Sequence, residues 1–147
     1  MAERKYIYTI DPFPQQYEDT TRLYQFYDYL REGRLTTTRC KSCGHIPWPP
    51  RVVCPKCLSD DLEWVDMPKT GKVSSYTIQV AAVPPGYEPP LIFALVDFDN
   101  GVRMLTTIVD IKPEEAKIGL EVELKVEQVA PDHADRERVI PHFTVKR

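Results

Sequence analysis

Chemistry in this chain starts with its thiols. All four cysteines lie within eighteen residues, as Cys40-Lys41-Ser42-Cys43, a ten-residue spacer, and Cys54-Pro55-Lys56-Cys57. In a reducing compartment, two CxxC turns joined by a hairpin-length spacer predict a tetrahedral four-thiolate metal site rather than a disulfide framework. Each turn brings two sulfurs and nearby backbone N–H groups together. Gly44, directly after the first pair, supplies the positive φ that such a turn often needs. Zinc is the expected ion, although the spacing alone also admits iron, because Pro55 inside one pair and Gly44 after the other are features of iron-binding knuckles too. Four protein ligands leave no open position for water or substrate, so the metal is expected to be structural. His45 follows Cys43 by two residues and is read as a side chain on the outside of the knuckle.

No second catalytic set stands out. With four thiols committed as ligands, none remains as an acyl-accepting nucleophile. His45, His133 and His142 fall in a knuckle, a charged loop and a terminal strand, and Ser74, Ser75 and Thr106 sit in strand patterns with no adjacent base. Asp97 with Asp99 reads as a turn, and Glu114 with Glu115 as a helix start. The net charge of -3 argues against a chain whose main task is to neutralise a nucleic-acid backbone. Residues 31 to 56, however, hold six basic residues and one acidic residue, a local balance of +5. Arg39, Lys41, Arg51 and Lys56 are therefore candidates for contacting the phosphates of a ligand, with ordinary solubilising charge as the alternative.

The elements that must position these groups follow from periodicity. Asp19-Thr20-Thr21 offers capping side chains, and Leu23, Phe26, Tyr27 and Leu30 then recur at helical spacing before Gly33. This predicts an amphipathic helix of about three turns, a candidate for packing on its own domain or on a partner. Beyond the cysteines, strands are expected over Lys72 to Val83, Leu91 to Phe98, Val102 to Val109, Glu121 to Glu127 and Val139 to Lys146. Leu91 to Phe98, almost continuously apolar, predicts a strand buried on both faces. Asn100-Gly101 predicts a two-residue hairpin, and Pro141 predicts an edge strand. Five strands with a short helical link between the third and fourth match the order of an OB-fold barrel, with a five-stranded sandwich as the alternative. The expected fold is thus mainly β: an N-terminal arm and helix over 1–33, a four-cysteine zinc ribbon over 34–68, and a five-stranded OB-fold barrel over 69–147. The longest apolar run, Leu91 to Val96, is far shorter than the roughly 18 residues of a membrane helix. No apolar segment follows Arg4-Lys5, so a cytoplasmic location is expected.

A set of motifs in order carries a resemblance. Tyr29-Leu30-Arg31-Glu32-Gly33-Arg34-Leu35 leads into Arg39-Cys40-Lys41-Ser42-Cys43-Gly44. Trp48-Pro49-Pro50-Arg51, Cys54-Pro55-Lys56-Cys57, Leu62-Glu63-Trp64, Gly71-Lys72-Val73, Ser75-Tyr76-Thr77, the loop Gly86-Tyr87-Glu88-Pro89-Pro90 and Gly101-Val102-Arg103 follow. Over roughly residues 20 to 146 this resembles the rubredoxin-like zinc-ribbon plus OB-fold proteins that accompany acyl-CoA enzymes. The small subunit of a benzoylsuccinyl-CoA-type thiolase is one member to set beside it, although no residue identifies an acyl group.

The resemblance implies a small subunit that binds a thiolase, a hydroxymethylglutaryl-CoA synthase or an acyl-CoA hydratase and supports a coenzyme A site, while the partner holds the nucleophile. It carries the ligand role over to Cys40, Cys43, Cys54 and Cys57. Candidate coenzyme A or partner contacts are Arg39, Lys41, Trp48, Arg51 and Lys56 on the ribbon, with Tyr87 and Arg103 on the loops and strands where OB folds commonly bind. Leu23, Phe26, Tyr27 and Leu30 form the candidate partner-binding helix face. The first nineteen residues, with Tyr6, Tyr8, Phe13 and Tyr17, lie outside the resemblance and read as an arm that wraps a partner or pairs with a strand. The alternative from another class is an OB-fold nucleic-acid module with a structural zinc ribbon.

Overall fold

The computed structural model describes residues 11–147. Helix α1 (Tyr24–Arg31) leads into a two-stranded antiparallel ribbon, β1 (Thr36–Cys40) with β2 (Leu62–Asp66), and the knuckles lie between those strands. Five strands then close a barrel: β3 (Thr70–Gln79), β4 (Leu91–Asp97), β5 (Arg103–Ile108), β6 (Glu121–Val129) and β7 (Arg138–Val145). Around the barrel the order is β3-β4-β5-β7-β6, and β6 pairs back onto β3. A short 3-10 turn (Pro113–Glu115) links β5 to β6. This is the OB-fold arrangement expected above, with the helical link in its place. No helix among the described residues is long and apolar enough to cross a membrane.

Period-two alternation positions the barrel core. Ile92, Ala94 and Val96 of β4 and Met104 of β5 point inward with Val73, Val122 and Phe143. Phe93 and Leu95 point outward and are half-covered, which corrects the expectation of a strand buried on both faces. A closed barrel has one interior, so an apolar run within it still divides into two sides. The β4–β5 connection also differs from the two-residue hairpin. Asp97 pairs with Arg103, the Phe98 N–H bonds the Val102 carbonyl at 3.0 Å, and Gly101 adopts φ 83°. Three residues, Asp99, Asn100 and Gly101, therefore make the turn, with glycine in the left-handed position such loops require.

Pro141 does not lie on an edge. β7 pairs with β6 along its whole length and meets β5 at the single pairing Ile108 with Phe143. The Phe143 carbonyl accepts from the Val109 N–H at 2.8 Å. Two residues away, Pro141 turns its nitrogen to that same sparsely bonded side, so no ladder bond is lost. Gly71 serves close approach: a Cβ there would stand 2.5 Å from Val96 Cγ1 and 2.9 Å from the Asp97 carbonyl oxygen. Gly71→Ala is expected to destabilise the protein by about 1–3 kcal/mol through this overlap, measured by urea denaturation; an unchanged midpoint would contradict the close packing.

Helix α1 is shorter than its apolar pattern implies, a little over two turns. Thr21 does not cap it. Its hydroxyl accepts from the Leu23 N–H at 3.1 Å and closes a turn ahead of the helix, while the N–H groups of Thr20 and Thr21 bond the Tyr17 carbonyl. Gly33 (φ 79°) ends it, donating to the Leu30 carbonyl. Phe26 and Leu30 enter a core shared with Leu35 and Met67 of the ribbon and with the barrel interior, so one core runs through all three parts.

The arm over residues 11–17 lies on its own barrel. The fully buried Gln16 side chain donates to the Val139 carbonyl (2.6 Å) and accepts from the Val139 N–H (3.0 Å), copying a strand partner. The Tyr17 hydroxyl donates to the Glu137 carbonyl, and its ring lies between the guanidinium groups of Arg31 and Arg136. Tyr6 and Tyr8 fall outside the described residues.

Candidate metal centre and flanking surfaces

β1 ends in Cys40, whose N–H bonds the His45 carbonyl at 2.9 Å. The Gly44 N–H returns to the Cys40 carbonyl at 2.8 Å. The second knuckle repeats this pattern: Cys54 N–H to the Ser59 carbonyl at 2.8 Å, and Leu58 N–H to the Cys54 carbonyl at 2.9 Å. Lys41 N–H to the Asp61 carbonyl (2.9 Å) ties the first knuckle to the strand entering β2. Two like turns thus face each other across the ribbon.

Their sulfurs converge. Cys40 and Cys57 Sγ atoms are 3.5 Å apart, Cys43 and Cys54 3.6 Å, and all four lie within 4.8 Å of one another. A tetrahedral zinc with sulfurs at about 2.3 Å needs sulfur separations of about 3.8 Å, so the donor set fits that ion. Charge balance agrees. Cys40 is drawn down to about 6, chiefly by the Cys43 N–H aimed at its sulfur and further by the Cys57 thiol, against the opposing effect of burial. For Cys57 the Ser59 N–H pulls downward, yet neighbouring Cys40 and burial prevail and push it up to about 12. Four thiols this close do not ionise together unless a cation sits among them. His45 is not one of the converging ligands.

The other sequence candidates are spread over two surfaces. Arg39 Nε bonds Glu63 Oε1 at 3.0 Å and Lys41 lies 3.6 Å from Asp61, so these two bases come with carboxylates. Among the described residues, Arg51 and Lys56 have no acidic partner. Trp48 is half-buried, its ring edge-on to Phe26 at 6.0 Å. Of the helix face, Phe26 and Leu30 are buried within this chain, Tyr27 is half-buried against Phe26, and Leu23 borders a surface hollow with Pro49, Pro50 and Val52.

On the barrel, Arg103 is held by both oxygens of Asp97, at 2.6 and 2.9 Å. Tyr87 stands at a separate hollow of about 350 Å³, edge-on to His142 at 6.3 Å and 6.2 Å from Phe13 of the arm. Burial, and secondly the charge of Glu127, hold the Tyr87 hydroxyl above its usual range. His142 was read as a terminal-strand residue without a partner in view. Its Nε2 lies 3.0 Å from Glu127 Oε2 and its Nδ1 meets the Thr107 hydroxyl. Burial lowers its pKa, although Glu127 pulls the other way. The Thr107 hydroxyl is hydrogen-bonded to Nδ1, and the Glu127 carboxylate stands beside Nε2. With both nitrogens engaged, His142 braces β5, β6 and β7 where the β5–β7 ladder has only one pairing.

The fold and the convergent thiols agree with comparisons to known proteins. Residues 28–63 match the family model described as "ChsH2, rubredoxin-like zinc ribbon domain", and residues 64–127 match "ChsH2, C-terminal OB-fold domain". A Methanocaldococcus jannaschii protein described as a DUF35 domain-containing scaffold protein is 35% identical over 104 residues, 69% of this chain and 73% of that protein. The chain belongs to the ChsH2 (DUF35) zinc-ribbon and OB-fold family. Another relative is the benzoylsuccinyl-CoA thiolase subunit BbsA of Thauera aromatica, 29% identical over 96 residues and 65% of each chain. A Thermomonospora curvata protein described as a probable enoyl-CoA hydratase alpha subunit is 33% identical over 107 residues, which is 73% of this chain and 34% of that longer protein. The chain thus corresponds to about a third of that relative's length. Among solved structures, a chain of the Ltp2-ChsH2(DUF35) aldolase superposes with a TM-score of 0.69 at 30% identity, covering 85% of this ChsH2-family chain and 95% of that one.

Sequence reasoning missed three features. Arg138, a charged side chain with no motif around it, is fully buried. The Thr107–His142–Glu127 chain crosses three strands and leaves no local trace. Leu58, 77% exposed, stands where the first knuckle has Gly44; that departure between two otherwise like turns was the available signal.

Proposed function

We propose that this chain is a non-catalytic, zinc-containing scaffold subunit that binds a thiolase-type acyl-CoA enzyme. In this role it helps form or stabilise the partner's coenzyme A site during acyl-CoA carbon–carbon bond cleavage or formation. The observation that carries the reading is the likeness to a chain of the Ltp2-ChsH2(DUF35) aldolase over 95% of that chain's length, in company with a scaffold protein and a thiolase subunit. Cys40, Cys43, Cys54 and Cys57 hold zinc as a closed shell, and the ion supplies folding energy rather than a reactive position. The setting is the cytoplasm, where such thiols stay reduced.

Coenzyme A is shared with the partner rather than enclosed by this chain. Of the candidate contacts, Arg39, Lys41 and Arg103 already face carboxylates of this chain, which leaves them less free to meet its phosphates. Tyr87 offers a ring on a proline-rich loop that loses little entropy on binding. The nucleic-acid alternative has less support: a single-strand binder needs several exposed aromatics among free bases on β4 and β5, whereas β4 and β5 together offer one half-covered aromatic, Phe93, and Arg103 is locked to Asp97.

The test is purification of the tagged chain from its native cell, with mass spectrometry of co-purifying proteins and metal analysis. A thiolase-type enzyme and zinc are expected with it. Acyl-CoA turnover by the homogeneous single chain, or recovery with single-stranded RNA and no acyl-CoA enzyme, would overturn the reading.

A further inference from the structure

The two knuckles are built to one plan but differ at one residue. Each is a CxxC turn whose following residue donates its N–H to the carbonyl of the first cysteine, at 2.8 Å for Gly44 and 2.9 Å for Leu58. Both residues sit in the left-handed region, Gly44 at φ 77° and Leu58 at φ 64°. Glycine has no steric penalty there, and a leucine does. Leu58 recovers nothing from packing, being 77% exposed. Folding alone would favour glycine at this position, so the leucine is held at a disadvantage on two independent counts.

Its neighbours are apolar and basic apart from the exposed Asp60 two residues on. Val52 and Val53, just before Cys54, are 42% and 45% exposed. Val52 continues into a hollow of about 380 Å³ bounded by Arg22, Leu23, Pro50 and Arg51. Elsewhere the ribbon neutralises its bases internally, Arg34 with Asp66, Arg39 with Glu63 and Lys41 with Asp61. At this knuckle, Arg22, Arg51 and Lys56 have no acidic partner among the described residues. Apolar contact area with three unpaired bases against the single unpaired acid Asp60, on a chain of net charge -3, fits a protein surface with an apolar centre and an acidic rim.

We infer that the second knuckle is the docking tip of this subunit, with Leu58 as its anchor, Val52 and Val53 beside it, and Arg22, Arg51 and Lys56 pairing with carboxylates of the thiolase-type partner. This deepens the function proposed above and rests on it. It differs from the helix face offered by periodicity, because Phe26 and Leu30 lie inside this chain.

The test uses zinc-loaded full-length chain in three forms, wild type, Leu58→Gly and the double variant Arg51→Glu/Lys56→Glu, each captured with the thiolase-type enzyme that the wild type brings down. Leu58→Gly is expected to melt at the same temperature as wild type or higher, while its affinity for that enzyme falls tenfold or more. The charge-reversed pair is expected to associate at least tenfold more slowly at low salt, the difference narrowing as salt rises. A control variant, Leu105→Asp on the outer barrel, is expected to bind as wild type. Unchanged affinity of Leu58→Gly would overturn the inference while leaving the scaffold reading intact. Failure of the wild type to bring down any acyl-CoA enzyme would overturn both. Binding of a fluorescent twenty-nucleotide oligo(dT), lost in the charge-reversed variant, would assign the patch to nucleic acid instead.

Discussion

Cys54→Ser is expected to abolish zinc retention and unfold the ribbon. Zinc binding of about 10–16 kcal/mol orders segments of this kind, which matches or exceeds the whole stability of about 5–15 kcal/mol of a typical domain. Cys54 is completely buried, and the ribbon it closes contributes Leu35 and Met67 to the shared core. The damage is therefore expected to reach the barrel, lowering Tm for strand signals as well as ribbon signals. Circular dichroism melts with metal analysis measure this, and a strong chelator added to the wild type should reproduce it. A serine variant that stays metal-free yet melts at the wild-type temperature would show that the thiols are not a structural centre.

The second large effect is expected at Arg138. Its guanidinium is 2% exposed, and all five N–H donors are used. Nε meets the Ala130 carbonyl, Nη1 the Phe13 carbonyl and Asp11, and Nη2 the Pro131 carbonyl and the other oxygen of Asp11, at 2.8–3.2 Å. Arg138→Ala strands three carbonyls and a carboxylate and leaves a void, so a loss of about 3–5 kcal/mol is expected in urea denaturation. Arg138→Lys keeps the charge but cannot reproduce the fork, and should recover only part of it. Asp11→Asn should lose less, because that carboxylate is partly open to water.

The pH dependence of this clamp has a definite sign. Asp11 is held below 3.8 chiefly by its bonds to Arg138, so the folded state binds fewer protons than the unfolded state near that pH. The stabilisation is complete above about pH 4 and is lost as pH falls through the lowered value. The Arg138 variants should show a flatter acid limb. A loss below 1 kcal/mol in Arg138→Ala would mean that the arm is held by Gln16 and Tyr17 alone.

What could be read in advance depended on how far apart the interacting residues lie in the chain. The four ligands sit within eighteen positions and their spacing is the site, so thiol chemistry was legible before any fold. The barrel strands were legible because alternation along one strand reports which side faces in. The register between strands reports on long-range pairing, and there the reading failed: Pro141 looked like an edge until β7 was seen between β5 and β6. Arg138 and Asp11 are 127 residues apart, and the bonds of Gln16 to Val139 and of Tyr17 to Glu137 span 123 and 120, so no local pattern announces them. The helix stripe was correctly apolar, but periodicity cannot say whether an apolar face meets its own chain or another.

Helix α1 adds a mechanical consequence. Gln25 accepts the Trp64 indole N–H, Phe26 and Tyr29 lie edge-on to Trp48 and Trp64, and Arg31 reaches the Glu137 carbonyl and Gln16 at the mouth of the barrel. It works as a splint across what would otherwise be a hinge. A pull on the metal-bearing ribbon would therefore be carried through α1 to the residues beside β7, so torque on one part is felt by the other.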